Sequence, residues 1–337
     1  MDISYSAAFQ EGVTEEMHAN PDIFILGTDL FDRGGHWAQV TGVGQVFGHN
    51  RVLDAPISEA AMVAAGVGAA LRGMHPIVDL NFVDFSLGAM DEIINQAAKI
   101  RYMLGAGVPL VVRATSGIAH GGPQHNNSLE VLFMHVPGLN LAVPSTPFDV
   151  KGLIKSALRM DDPVVFLMHK GLIAEKGPVG GPDKLVAFGL AKVVRPGDGA
   201  TVATYGACVG RSVRAAEELE EEGVSLEVID LRTLAPLDIE AVVSSVRKTR
   251  RLVVVDEAPI FAGPGAEIAA AVGYEAFAYL DAPVSRVGRA RVPVSESQPL
   301  LDASIPCPAD IAAAVRATFH AFDKPASRYD NSNRELG

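Results

Sequence analysis

Short apolar runs alternate with stretches of helical period along this chain, in two series separated by a break. In the first series "IFILGTDL", "HPIVDLNF", "VPLVVRAT", "LNLAVPS" and "PVVFLMH" read as strands. "FSLGAMDEIINQAAKIRYMLG" and "PFDVKGLIKSALRM" between them carry apolar residues at helical spacing. A helix between successive strands implies βαβ units and parallel sheets. The second series repeats the alternation: strand "TVATYG", helix "GRSVRAAEELEEEG", strand "SLEVIDL", helix "DIEAVVSSVRKT" and strand "RLVVVDE". A helix near Ala266, a strand at "VSRVG" and the amphipathic helix "CPADIAAAVRATFHAF" complete it. The expected fold is α/β, with two three-layer α/β/α domains.

The break lies at "EKGPVGGPDK", which has Gly, Pro and charge but no periodicity. We place a first domain at residues 1–178, a linker at 179–190, a second domain at 191–325 and a polar tail at 326–337. A length of 337 residues, 48% of them hydrophobic, supports two cores of ordinary size. A formal net charge of −12 argues against nonspecific nucleic-acid binding. No apolar run has the length and purity of a membrane span. The two cysteines, Cys208 and Cys307, form neither a metal spacing nor a disulfide framework. The N-terminal "MDISYSAAFQEG" lacks the regions of a signal or transit peptide, so the expected compartment is the cytoplasm.

Two glycine patterns suggest nucleotide or phosphate sites and fail on position. "GVGAALRG" lies within or at the end of a helix, whereas a dinucleotide loop follows a strand and opens one. Its glycines are expected to allow close packing. Gly197-Asp198-Gly199 reads as a tight turn before "TVATYG", because no Asn stands in the region 25 to 30 residues on that a diphosphate–magnesium motif requires.

Three stretches fall at strand-to-helix junctions, where parallel sheets tend to bind ligands. "LDAPISEAAMVAAGVGAALRG" sets one carboxylate, Glu59, at the mouth of an apolar helix that Ser58 would cap and that we expect to be buried. "NFVDFSLGAMDE" carries Phe82 and Phe85, and "SGIAHGGPQHNNSLE" carries His120 and His125 in a Gly-rich loop. Helix capping or a salt bridge is the plain alternative for Glu59, core packing for the aromatics, and a solvated loop position for the histidines. His135 reads as a helix-end residue.

The chain resembles the β subunits of thiamine-diphosphate-dependent 2-oxo acid dehydrogenases, the E1 component of those complexes. "FGHNRVLDAPISE", "NQAAKIRYMLG", "HVPGLNLAVPST", "DVKGLIKSAL", "VIDLRTLAPLD" and "KTRRLVVVDEA" carry the resemblance in this order over almost the whole length. "FVDF", "NQAAKIRYM" and His169-Lys170 look most like acetoin dehydrogenase β subunits. The resemblance implies a transketolase-like pyrimidine-binding domain followed by a transketolase C-terminal domain. It implies that Glu59 bonds N1′ of the cofactor aminopyrimidine, favouring the imino tautomer whose 4′ nitrogen removes the thiazolium C2 proton. Phe85 would pack on the aminopyrimidine, with Asn81 and Gly88 near it. His125 would donate to substrate and assist acyl transfer to lipoamide. Backbone carbonyls of Leu110, Ala157, Leu158, Met160 and Asp162 match a monovalent cation site, for which K+ is a candidate.

The missing Gly-Asp-Gly and Asn pair is informative here. In the family, Mg2+ and the diphosphate are held mainly by a separate α subunit, so the resemblance implies an α2β2 heterotetramer that docks on a lipoyl acyltransferase E2 core. The second domain would then serve subunit contact and docking rather than chemistry. Gly88, Asn81, "QHNNS", Thr28 and Met168 depart from the family's usual residues. A split carboligase or transketolase that uses no lipoamide, and a noncatalytic scaffold, are the alternatives.

Overall fold

The computed structural model describes residues 2–31, 34, 40–119 and 121–320. His120 and the polar tail 326–337 lie outside the described residues. The N-terminal half comprises β1 (Asp2–Ser4), α1 (Tyr5–Ala19), β2 (Ile23–Gly27), α2 (Val43–Phe47), β3 (Val52–Asp54), α3 (Glu59–Ala70) and β4 (His75–Phe82). It continues with α4 (Ala98–Leu104), β5 (Val111–Ser116), α5 (Glu130–Met134), β6 (Asn140–Ala142), α6 (Pro147–Ala157), β7 (Val164–His169) and β8 (Lys176–Pro178). The C-terminal half holds β9 (Lys192–Arg195), β10 (Ala200–Thr204), α7 (Ala207–Glu220), β11 (Leu226–Asp230), β12 (Thr233–Ala235) and α8 (Ile239–Thr249). After these come β13 (Leu252–Pro259), α9 (Pro264–Glu275), β14 (Ser285–Arg289), α10 (Gln298–Ser304) and α11 (Pro308–Phe319).

Two large sheets result, as the alternation requires, beside a small antiparallel pair β1-β8. The first runs β12-β6-β7-β5-β4-β2-β3 and the second β14-β13-β10-β11-β9. Strands β2 to β7 pair in parallel, and β12 joins that sheet antiparallel to β6. The second sheet is parallel except for β9. β12 is contributed by the C-terminal half to the N-terminal sheet, and one apolar cluster runs from Val63 of α3 through Leu141 and Leu234 to Val272 of α9. The two halves therefore share a core. Segment 179–190 packs down as well: Val186 is buried and its N–H donates to Gly152 O at 3.2 Å.

Local chemistry accounts for the helix ends. Thr146 caps α6 by accepting from Asp149 N at 3.1 Å, and Pro147 fills the first turn, where no N–H is needed. Asp238 caps α8 by accepting from Ala241 N at 3.1 Å. α1, which the strand and helix pattern did not bring out, lies along α6. A Cβ on Gly12 would come within 2.8 Å of Ile154 Cγ2, so glycine sets this close approach. Lys151 meets Glu11 at 2.6 Å and Glu15 at 2.8 Å, and Arg159 meets Glu16 at 2.7 Å, across the same seam.

Two expected elements come out differently. The single long helix over 85–105 is instead a 3₁₀ turn at Val83–Ala89, a π segment at Glu92–Ala97 and the short α4. Ser86 Oγ donates to Val83 O at 2.6 Å, a local bond that competes with α-helical pairing. Helix α3 is not buried all round. Met62, Val63, Gly66, Val67 and Ala70 face the core, while Ala61, Ala64, Ala65 and Gly68 form an exposed stripe. Gly66 permits the close packing, since a Cβ there would lie 2.7 Å from Val78 Cγ2; Gly68 has open space. Gly197-Asp198-Gly199 is a bend before β10, pinned by Gly199 N to Ser225 O at 2.7 Å.

Candidate active site

The N-terminal sheet changes winding direction at β2. The chain leaves β2 for β3 on one side, and β4 takes the other side. Carboxyl ends on either side of such a point open a crevice that favours ligand binding. Glu59 follows β3, Phe82 and Phe85 follow or end β4, the His125 loop follows β5, and Lys170 follows β7. One edge of one sheet therefore carries every chemistry-bearing stretch singled out above, apart from the matched cation carbonyls.

Glu59 is the first residue of α3 and is half-buried. Ser58 occupies the cap position, but its hydroxyl makes no capping bond. Among the described residues the Glu59 carboxylate has no hydrogen-bond or ion-pair partner. The free N–H groups of a helix N-terminus favour an anion there. Neither capping nor a salt bridge to a described residue thus accounts for it.

Phe82, Phe85 and His125 form one aromatic cluster. Ring centroids are 5.7 Å apart for Phe82–Phe85, 4.9 Å for Phe82–His125 and 5.5 Å for Phe85–His125, all edge-on. Phe82 is buried, as its core reading expects, while Phe85 is partly open. His125 Nδ1 lies 3.0 Å from Gly121 O, which makes that nitrogen the donor, and Nε2 makes no hydrogen bond to a described residue.

The loop around His125 is closed by its own asparagines. Asn126, fully buried, accepts from Ala119 N at 2.8 Å and donates to Gly122 O at 2.7 Å. Asn127 Nδ2 donates to the buried Asp84 Oδ1. The "QHNNS" departure is therefore structural on both Asn positions. Lys170 Nζ donates to His125 O, reaches Asn126 Oδ1 at 3.3 Å and stands 5.1 Å from the Phe82 ring centroid. Burial pushes the Lys170 ammonium down to about 8, against the opposing pull of Asp84, Glu257 and Glu130.

Asn81 acts through its backbone. It has φ 59°, a left-handed conformation that Asn tolerates, at a register shift between β4 and β5. Its N–H donates to Asp79 Oδ1 at 2.8 Å, and its carbonyl accepts from Thr115 Oγ1 at 2.6 Å. Asp79 in turn holds the fully buried Arg113 through bonds of 2.9 and 3.1 Å. This bulge sits directly before Phe82. Gly88 is exposed, and a Cβ there would meet nothing within 4 Å, so the edge is roomy at that point. Thr28 is half-buried just past β2. Met168, by contrast, is packed in the core under the sheet.

The matched cation positions gather at the C-terminus of α6 and beside it. Ala157 and Leu158 end that helix, Met160 and Asp162 follow, and Leu110 O accepts from Val164 N at 2.9 Å. Terminal carbonyls of a helix suit a cation. The Asp162 carboxylate is already paired with Arg101, so that residue would offer its carbonyl only. Among the described residues no three His, Cys, Asp or Glu side chains group as metal ligands.

Charged residues inside apolar strands were the signal left unused in the sequence. Arg113 in "VVRATS", Asp79 in "HPIVDLNF" and Glu257 in "LVVVDEAP" are all buried and all pair near this edge. Glu257 reaches over from the C-terminal sheet. Its Oε2 accepts from Ile118 N at 3.1 Å and meets His169 Nε2 at 2.7 Å, while Oε1 meets Arg211 at 2.5 Å. Burial opposes the charge, but His169, Arg211 and the Ile118 amide hold the carboxyl down to about 2. Gly171 N donates to His169 Nδ1 at 3.1 Å, so the ring proton sits on Nε2, toward Glu257.

The transketolase pyrimidine-binding domain family matches residues 1–176, and the transketolase C-terminal domain family matches residues 189–311. A split-gene transketolase, described as an inactive β4 tetramer, has the same fold, with TM-score 0.79 at 24% identity over 95% of this chain and 99% of that one. Fold and domain order thus define a transketolase-like chain. Within that class, it is 43% identical to the β subunit of acetoin:2,6-dichlorophenolindophenol oxidoreductase of Cupriavidus necator, over 94% of this chain and 97% of the relative. Identity is 40% to the 2-oxoisovalerate dehydrogenase β subunit of Bacillus subtilis, over 89% and 93% of the two chains. It is 39% to the pyruvate dehydrogenase E1 β subunit of Rhizobium meliloti, over 92% and 68%. The chain belongs to the E1 β-subunit family of thiamine-diphosphate-dependent 2-oxo acid and acetoin dehydrogenases. A β subunit of this family has an α-subunit partner. No helix among the described residues is long and apolar enough to cross a membrane.

Proposed function

We propose that this chain, assembled with its α subunit as an α2β2 heterotetramer, cleaves acetoin or a 2-oxo acid and passes the acyl unit to lipoamide on an E2 acyltransferase core. The unpaired, half-buried Glu59 at the head of α3 carries this reading. When bound, thiamine diphosphate supplies a carbon nucleophile at its thiazolium ring. Glu59 holds and returns a proton at the pyrimidine N1′. The partly open Phe85 gives that ring an apolar wall, and the Asn81 bulge fixes where Phe82 and Phe85 stand. Gly88 leaves room beside it. His125 Nε2, which no described residue occupies, would exchange a proton with substrate.

Mg2+ and the diphosphate are held by the α subunit in this reading. A K+ ion takes carbonyls of Leu110, Ala157, Leu158, Met160 and Asp162 and ties α6 to β5. Ile57, 80% exposed, and Leu87, 55% exposed, flank Glu59 and Phe85 with apolar surface that suits coverage by the α chain. Residues 1–178 serve the chemistry, and residues 191–325 serve assembly and docking on E2. The name of the Cupriavidus relative, an acetoin oxidoreductase subunit, makes acetoin the first substrate to try. The test is co-expression with the cognate α subunit, followed by turnover of acetoin, pyruvate and branched 2-oxo acids with lipoamide or dichlorophenolindophenol as acceptor. Lipoamide reduction by one of these donors is expected. Tight cofactor binding with Mg2+ and unaided turnover by the isolated chain would overturn the shared-site reading.

A further inference from the structure

We propose that Glu257 is a positioning residue for the His125 loop, so that the C-terminal half sets the geometry of the acyl-transfer stage. The proposal rests on the role given to His125 above and goes beyond the docking role given to residues 191–325. Glu257 is 5% exposed and lies on β13, in the other sheet. It is nonetheless the acceptor for Ile118 N–H, the second residue beyond β5 and the root of the loop that carries His125. The pair is 139 positions apart in sequence.

Three further observations tie that root to the C-terminal half and to His125. The Ile118 side chain is buried in a small cluster of its own with Val294 and Leu301. His169 is held on both ring nitrogens, by Glu257 and by Gly171 N–H, and its ring presses on the loop's first residue. A Cβ on Gly117, which has φ +86°, would fall 2.1 Å from His169 Nε2. Lastly, Asn126 joins Ala119 N to Gly122 O, so a displacement at Ile118 and Ala119 is carried across the loop to His125. Arg211 on Oε1 keeps the carboxylate oriented so that Oε2 serves both Ile118 and His169. A misplacement of about 1 Å from a residue remote from the chemistry can cost roughly 100-fold in rate.

The experiment uses the complete α–β complex and reads two stages separately. Exchange of the C2 proton of bound thiamine diphosphate reports on Glu59, and steady-state lipoamide acylation reports on the His125 stage. For Glu257→Ala, acylation kcat is expected to fall about 10- to 100-fold with C2 exchange within about 2-fold of wild type. Glu257→Gln keeps a carbonyl oxygen for Ile118 N–H and should fall between the two. Val294→Ala loosens the same root without touching Glu257 and should lower acylation a few-fold, again sparing exchange. It also decides the matter if Glu257→Ala fails to assemble. Acylation and exchange falling together in assembled complexes, or acylation unchanged in both Glu257→Gln and Val294→Ala, would overturn the proposal. Failure of the underlying function reads differently: wild type itself would then show no C2 exchange and no acylation.

Discussion

Two carboxylates approach the same sheet edge from opposite halves, and their surroundings could hardly differ more. Glu59 heads α3 half-buried and unpaired among the described residues. Glu257 lies buried in β13, with Ile118 N–H, His169 and Arg211 around it. A carboxylate with three fixed partners has its proton affinity spent on structure; its lone pairs point where the fold needs them. A carboxylate left without partners at a helix mouth is free to meet a ring nitrogen that arrives with the cofactor. The comparison separates a group suited to move a proton from one suited to hold a backbone still.

The largest effect is expected at Glu59. Glu59→Gln should lower C2-proton exchange by about 10³-fold, within the range for a lost acid–base group. Its unfolding free energy should stay within about 0.5 kcal/mol of wild type, because no described partner is lost. A variant that keeps its exchange rate, or one that unfolds markedly earlier, would remove the contrast with Glu257.

Acid unfolding tests the other carboxylate. The Glu257 carboxyl is held at about 2 in the fold against an ordinary 4.5. Its folded value is depressed, so its contribution is present above about 4.5 and is lost as pH falls through about 2. That contribution is on the order of 3 kcal/mol. Neighbouring Asp256 is raised to about 7 by burial and acts with the opposite sign, so only the difference between wild type and Glu257→Gln isolates the term. Denaturant unfolding from pH 5 to pH 2.5 should therefore be less pH-dependent in Glu257→Gln. Parallel slopes would mean that Glu257 is not the charged anchor described.

Gly117→Ala comes next. The added methyl meets His169, and the residue must hold φ +86°, a strain of about 1–3 kcal/mol. Acylation should drop about 10-fold and the melting temperature should fall, while C2 exchange persists. Loss of both activities would place Gly117 on the Glu59 side of the comparison.

The contrast between the two halves also explains what could be read from the sequence alone. The parallel sheets, the strand positions and the junction stretches with Glu59, Phe85 and His125 follow from periodicity and from the rule that ligands bind at carboxyl edges. These are local patterns in the chain. The Ile118–Glu257 bond is invisible to any window of sequence, since its two ends are joined only by the packing of two sheets. β12 hides for the same reason: "TLA" is a strand because β6 lies beside it. The 83–105 stretch misleads in another way. Its helical period is real, but Ser86 bonding back to Val83 and the π segment use that period in three different helix types. Charges embedded in apolar strands were legible, and they mark the buried struts rather than the open chemistry.

Lys170 gives the smallest and most discriminating effect, because it holds the His125 loop at residues 125 and 126 rather than at Ile118. Its ammonium donates to His125 O and Asn126 Oδ1 and, lowered to about 8 by burial, loses its proton within a working pH range. Below about 8 the charged donor clasps the loop; above it a neutral amine replaces a charge-assisted bond with a weaker one. Acylation kcat should therefore decline a few-fold between pH 7.5 and 9, with C2 exchange flat over the same range. Lys170→Arg keeps its charge throughout and should abolish that alkaline decline, at the cost of a somewhat lower rate at pH 7 from the bulkier group. If exchange and acylation shared the alkaline limb, the limb would belong to the cofactor's own proton chemistry. The loop would then be held from the Glu257 side alone.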